Sequence, residues 1–183
     1  MSVVASFTGG DKLTKYLENL AKKVSKGGEL RVGFLEGSTD SDGTSMPMIA
    51  AIQEFGAPGK SIPARPFMKP TVDKHSDEWG EVIGDELVKN EYDGYLTLKS
   101  MGELIADEIV VSITEVTGPP LSPITLMLRK MKSKDQGLVV GGKVVAEAAA
   151  RVAAGESKAG VSTKPLVDRG EMERAVGWEV NSK

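Results

Sequence analysis

The sequence predicts an α+β fold, and three observations carry that prediction. Two short stretches, Glu29–Leu35 and Ala175–Val180, alternate apolar and polar residues at the period of a half-buried strand. They lie near opposite ends of the chain, so pairing them closes the domain on itself. Between them, apolar residues recur at three- and four-residue spacing over several segments, the period of amphipathic helices. With 183 residues the chain suits a single domain, residues 1–183, able to bury a core. An aromatic content of 5% leaves that core to Val, Leu, Ile, Met and Ala.

Taken in order, Met1–Gly10 reads as a frayed lead or a short edge strand. Asp11 is placed to cap a helix reaching about Lys26, with Leu13, Tyr16 or Leu17, Leu20 and Val24 on one stripe. Lys15, Lys22 and Lys23 form its solvated face, and Gly27-Gly28 ends it. In the first strand Leu30, Val32 and Phe34 face one way. Glu36–Ser45 is an acidic loop. Asp40 and Asp42 resemble the start of a calcium loop, but the third acidic position and the distal glutamate are missing, so no metal is expected.

Ser45 and Pro47 start a short helix whose Ile49, Ile52 and Phe55 share a face. Gly56 supplies the positive φ that a helix C-terminus favours. In Ile62–Phe67 (IPARPF) each proline fixes its own φ and extends the residue before it. The result is a stiff arm with apolar tips at Ile62 and Phe67 and a forked cation at Arg65. The arm either closes over a core edge, with Arg65 paired to a carboxylate such as Glu54, or presents these side chains to a neighbour.

Thr71–Asn90 reads as a helix bearing Val72, Trp79, Val82 or Ile83, and Leu87, with Pro70 near its start and His75 as an exposed helix residue. A second helix, Tyr95–Val116, packs against it as an αα-hairpin. The β-branched tail of that second helix can fray or turn to strand. Gly118-Pro119-Pro120 is a hard break. Ser122 and Pro123 then start a helix with Ile124, Met127 and Leu128 inward. Its basic end, Arg129, Lys130, Lys132 and Lys134, answers the helix dipole. Asp135–Thr163 is rich in Gly, Ala, Val and Lys and reads as an insert: a short helix, Lys143–Ala154, flanked by flexible segments. Glu147 and Arg151 are spaced for an exposed pair. The shallow stripe Val144, Val145, Ala148 and Val152 suits packing against a neighbour. Lys164–Gly170 is extended and then turns, Glu171–Ala175 is a helix turn, and in the last strand Val176 and Trp178 share a face.

The totals exclude several kinds of chemistry. Without cysteine there is no disulfide frame or thiol nucleophile, and one histidine cannot build a His-rich metal cluster. No nucleophile elbow, H-E-x-x-H or phosphate loop occurs; Gly141-Gly142-Lys143 lacks the upstream glycine and the following Ser or Thr. Pairs such as Asp107 with Glu108 read as helix-surface charges. No enzyme and no cofactor are expected. A net charge of −3 opposes binding to nucleic-acid phosphates, and the basic cluster Arg129–Lys134 has no aromatics for stacking bases. No apolar run is long enough to span a bilayer, and the N-terminus does not read as a secretory signal.

Three stretches carry a resemblance: IAAIQEFGAPGKSIPARPFMKP at Ile49–Pro70, PPLSPITLMLRK at Pro119–Lys130 and KPLVDRGEMERAVGWEV at Lys164–Val180. In this order they resemble the head–tail joining proteins of tailed bacteriophages, called tail-completion, neck or minor tail proteins. The resemblance implies a small antiparallel sheet packed against several helices; the Ala/Gly-rich insert departs from it, being longer than the family pattern. It implies a structural virion protein, assembled in the host cytoplasm, that forms a ring (six-fold in the family) joining the head connector to the tail tube. Expected partners are other copies of the chain, connector or adaptor proteins, and tail tube or tail terminator proteins. DNA passes only as cargo, and no membrane is involved. The alternatives are a tail terminator capping the tube and a nucleic-acid-associated adaptor outside the virion. Interaction residues expected on this reading are Glu54, Phe55, Ile62, Arg65 and Phe67, with Phe67 as anchor and Arg65 as its charged partner. Leu166–Gly170, including Leu166 and Asp168, is the expected receiver. Packing of both regions within one chain is the competing expectation. On the docking reading, Arg65→Ala leaves a folded subunit that fails in head–tail attachment.

Overall fold

A computed structural model describes residues 10–181. The Met1–Gly10 expectation, apart from Gly10, lies outside them. In chain order the elements are α1 (Gly10–Val24), β1 (Glu29–Phe34), α2 (Met46–Phe55), α3 (Met68–Lys89), α4 (Gly94–Glu115), α5 (Pro123–Lys134), α6 (Gly142–Ala153), α7 (Glu171–Ala175) and β2 (Val176–Asn181). This is the α+β architecture read from the sequence.

The two strands do close the chain on itself. They pair antiparallel, with Val32 opposite Trp178 and Phe34 opposite Val176. Helix α4 packs across both strands and against α3, which forms the expected αα-hairpin with it. Helix and sheet approach closely where Gly102 meets the Trp178 indole, because a Cβ there would stand 2.8 Å from the ring. The β-branched end of α4 stays helical to Glu115, anchored by Ile109 and Ile113, which are both buried in the core.

Ser45, Ser122 and Gly56 act as the start and stop signals the sequence indicates, whereas Asp11 lies within the first turn of α1 rather than capping it. Ser45 Oγ accepts from Met48 N at 3.4 Å, and Ser122 Oγ accepts from Thr125 N at 3.1 Å. Gly56 ends α2 at φ 73°. Asp93, the residue before α4, accepts from the backbone amides of Tyr95 and Leu96, both at 3.1 Å. In the acidic loop, Asp40 Oδ1 accepts from Asp42 N and Thr44 N, which makes a turn of it.

The main core joins Met46, Phe67, Ile109, Ile113, Leu166 and Met172, drawn from five different parts of the chain. A second cluster lies between α5 and α6, where Met127, Met131 and Ala148 are buried with Val144 and Val152 against them. The insert therefore packs Val144, Ala148 and Val152 on α5 of its own chain, with Val145 left exposed, which corrects the expectation that the stripe packs against a neighbour. The Glu147–Arg151 pair forms at 2.6 Å.

Three further expectations change. His75 is largely buried, with Nδ1 3.2 Å from Glu78 and 3.4 Å from Glu108. Glu108 also accepts from Trp79 Nε1 at 2.7 Å, so it serves the α3–α4 seam and is no mere surface charge. The apolar stripe of α1 is left largely open: no residue of that helix is buried, Leu20 is half-buried, and Leu13, Tyr16 and Leu17 are each more than half exposed.

Candidate functional site

The proline-braced arm is built from the backbone outward. Ala57 and Ile62 exchange backbone hydrogen bonds at 2.8 and 3.1 Å, which closes the turn after α2. Arg65 N then donates to Gln53 O at 2.6 Å, laying the arm back along α2. Its end, Phe67, has no exposed surface and meets Phe34 edge-to-face with centroids 5.8 Å apart. The Phe67 carbonyl accepts from Thr71 Oγ1 at 2.7 Å and Ser112 Oγ at 2.8 Å, tying α3 to α4. Phe67 is thus a core side chain, and its expected role as a docking anchor is corrected.

Glu54 does not pair with Arg65. It is buried, and its carboxylate caps α3: Oε2 accepts from Phe67 N at 2.8 Å and Met68 N at 2.9 Å, and Oε1 from Lys69 N at 2.9 Å. Those amides are orphan donors of the first helical turn, and an anion there also complements the helix dipole. Neither Phe67 nor Met68 brings a side-chain cap, so a carboxylate from α2 fills that need across 13 residues of sequence.

Arg65 turns instead to the Gly118-Pro119-Pro120 break. Its Nε donates to Pro119 O at 2.9 Å and its Nη2 to Pro120 O at 3.4 Å, with Nη1 3.4 Å from Gln53 Oε1. Prolines have no N–H, so such a segment leaves carbonyls in want of donors, and the planar fork of arginine suits them. Burial holds the Arg65 guanidinium below its usual range.

Arg129 repeats the device one helix later. Its Nη1 donates to the carbonyls of Ser162 (2.9 Å), Lys164 (2.8 Å) and Val167 (3.2 Å), and its Nη2 to Pro165 O at 3.0 Å. Burial lowers its pKa first, Asp168 raises it through Nε at 3.7 Å, and the nearby charge of Arg65 lowers it again. The basic end of α5 is likewise engaged, with Lys130 on Ser157 O and Lys132 on Asp42. Only local dipole compensation was expected of these residues.

The residues singled out from the sequence therefore separate into two groups. Glu54, Arg65, Phe67 and Leu166 are buried inside the chain, and Ile62 is half-buried. Asp168 is exposed beside Arg129, and Phe55 stands out with 78% of its surface open. Phe55 belongs to an apolar face that periodicity alone does not separate from the core face. An open groove of about 640 Å³ runs beside it, lined by Val32, Phe34, Ala51, Phe55, Met68 and Val72 among others. Among the described residues no cluster of His, Asp and Glu is arranged to hold a metal, and no helix is long and apolar enough to cross a membrane. No protein-family model, curated protein or solved structure matches this chain.

Proposed function

We propose that this chain is a structural subunit of a tailed-phage neck, forming a ring that joins the DNA-filled head connector to the tail tube. One observation carries the reading. The three stretches that resemble head–tail joining proteins lie far apart in sequence yet converge through two arginines. Arg65 of the first holds the carbonyls of Pro119 and Pro120 in the second. Arg129 of the second holds those of Lys164, Pro165 and Val167 in the third. Residues that look like a signature are thus the ones that interlock, as expected if they specify one shared subunit shape. On this reading the arm sets the form of the subunit from within, and contact with neighbours falls to the surface around Phe55. The chain performs no reaction, and the acidic balance lets duplex DNA pass without sticking.

The test is electron microscopy of particles assembled by a phage whose copy of this gene is interrupted. Full heads and finished tails lying apart are the expected result. Overlong tails would assign termination instead, and normal infectious particles would overturn the proposal.

A further inference from the structure

We infer that α1 of one subunit docks into the groove beside Phe55 on the next, making a head-to-tail contact between copies of this chain. This rests on the ring reading above and names the interface that reading needs.

Both halves of the contact are visible on one molecule. Among the described residues little covers the apolar stripe of helix α1: Leu13 is 54%, Tyr16 61%, Leu17 52% and Val24 42% exposed. Helix α2 is apolar nearly all round: Met46 and Ala50 enter the core, while Met48 and Phe55 face outward at 53% and 78% exposure. A short helix that is apolar on every side is a buried helix, so its outer face calls for a cover.

The root of α1 and the groove sit at opposite ends of α4. The C-terminal end of α1 meets α4 at Gly94, and Lys23 donates to Glu91 O at 3.2 Å just before it. The groove lies at the far end of α4, where Ser112 holds the carbonyl of Phe67, one of its lining residues. From Gly94 to Ser112 is about 27 Å along a helix rising 1.5 Å per residue. Complementary patches at opposite ends of one subunit make a heterologous contact, the type that closes rings.

Charge supports the same pairing. Helix α1 bears four lysines against two acidic residues, and the charged lining of the groove, Glu54, Lys69 and Asp73, carries one net negative charge. The area also fits. The exposed parts of Leu13, Tyr16, Leu17, Val24, Met48, Phe55 and Val72 amount to on the order of 600 Å², at roughly 150 Å² per large side chain. With the usual polar share of an interface this becomes about 1,000 Å², the lower limit for a specific contact. Such a contact is weak between two free subunits and accumulates when a connector presents several of them together.

The chain has no cysteine, so introduced thiols report cleanly. Leu17→Cys protein is mixed with Phe55→Cys protein at high concentration, oxidised, and the dimers identified by mass spectrometry; the double variant is oxidised separately. The contact predicts mixed dimers in several-fold excess over same-type dimers, and a ladder of multimers from the double variant. A double variant that stays monomeric with an internal disulfide would mean that α1 folds back onto its own groove. Same-type dimers equal to mixed ones would indicate random or two-fold contact. Free thiols without any cross-link would leave the groove to a different partner. Each of these three outcomes overturns the α1 contact, while head–tail joining is judged separately on the particles.

Discussion

Removing the Glu54 carboxylate is the sharpest test of how this fold is held. Glu54→Ala leaves the amides of Phe67, Met68 and Lys69 without their acceptor, and Phe67 is wholly buried. An orphaned buried donor costs about 1–3 kcal/mol, and loss of an anion at a helix N-terminus adds about 0.3–2 kcal/mol. Met68 and Lys69 are less enclosed and regain water, so the total expected is about 4 kcal/mol. At roughly 2–4 °C per kcal/mol for a chain of this size, the melting temperature falls by about 8–16 °C. Glu54→Gln retains one amide oxygen for two of the three donors but turns an N–H₂ toward the third. It should lose roughly half as much. Urea titration of both variants beside the parent protein measures the two differences. A Glu54→Ala loss below about 1 kcal/mol, or a Glu54→Gln loss equal to it, would refute the cap as an energetic feature.

Arg129→Ala should cost about 3 kcal/mol, since four carbonyls lose a charged donor and only part of that is recovered from water. Limited proteolysis within residues 157–167 should accelerate at the same time. Arg65→Ala is expected to destabilise the subunit by about 2 kcal/mol, because the side chain is buried on two proline carbonyls. A variant as stable as the parent but defective in attachment would restore its docking role. Asp93→Ala should lower thermal stability at neutral pH. The Asp93 carboxyl is held below its usual value, first by the Leu96 amide and then, against partial burial, by Lys26 and Tyr95. A depressed folded pKa means the contribution is present above pH about 4 and disappears as pH falls below it. The melting curves of variant and parent should therefore converge in acid. Gly102→Ala forces a methyl to within 2.8 Å of the Trp178 ring, and overpacking of that kind costs about 1–3 kcal/mol, with a changed near-ultraviolet circular dichroism signal.

Much of the fold was legible because its signals are local or periodic. Ser45, Ser122 and Gly56 act within four residues of themselves, and the alternation in Glu29–Leu35 and Ala175–Val180 fixed which faces meet once the strands paired. The candidate site was less legible because its bonds are long-range. Arg65 reaches up to 55 residues and Arg129 up to 38, and an arginine in sequence carries no mark of its partner. A usable signal did exist: Pro119-Pro120 and Pro165 announce carbonyls outside any ladder. The stripe of α1 was correctly read as apolar, but period alone does not say whether a stripe meets its own core. Proline likewise made the arm stiff without saying which way Phe67 points. Burial in one core with Met46, Ile113 and Leu166 decided that.

Gly94 sits where main chain meets main chain: a Cβ on it would run into the Val24 carbonyl and stand 2.9 Å from Gly27 N. With no side chain between them to repack, the bearing at which α1 leaves the body is set by polypeptide geometry. Substitutions along the exposed length of the helix leave that bearing unchanged. A single methyl at this hinge point would swing the whole helix, and any circle of subunits built on it would change its curvature or fail to close.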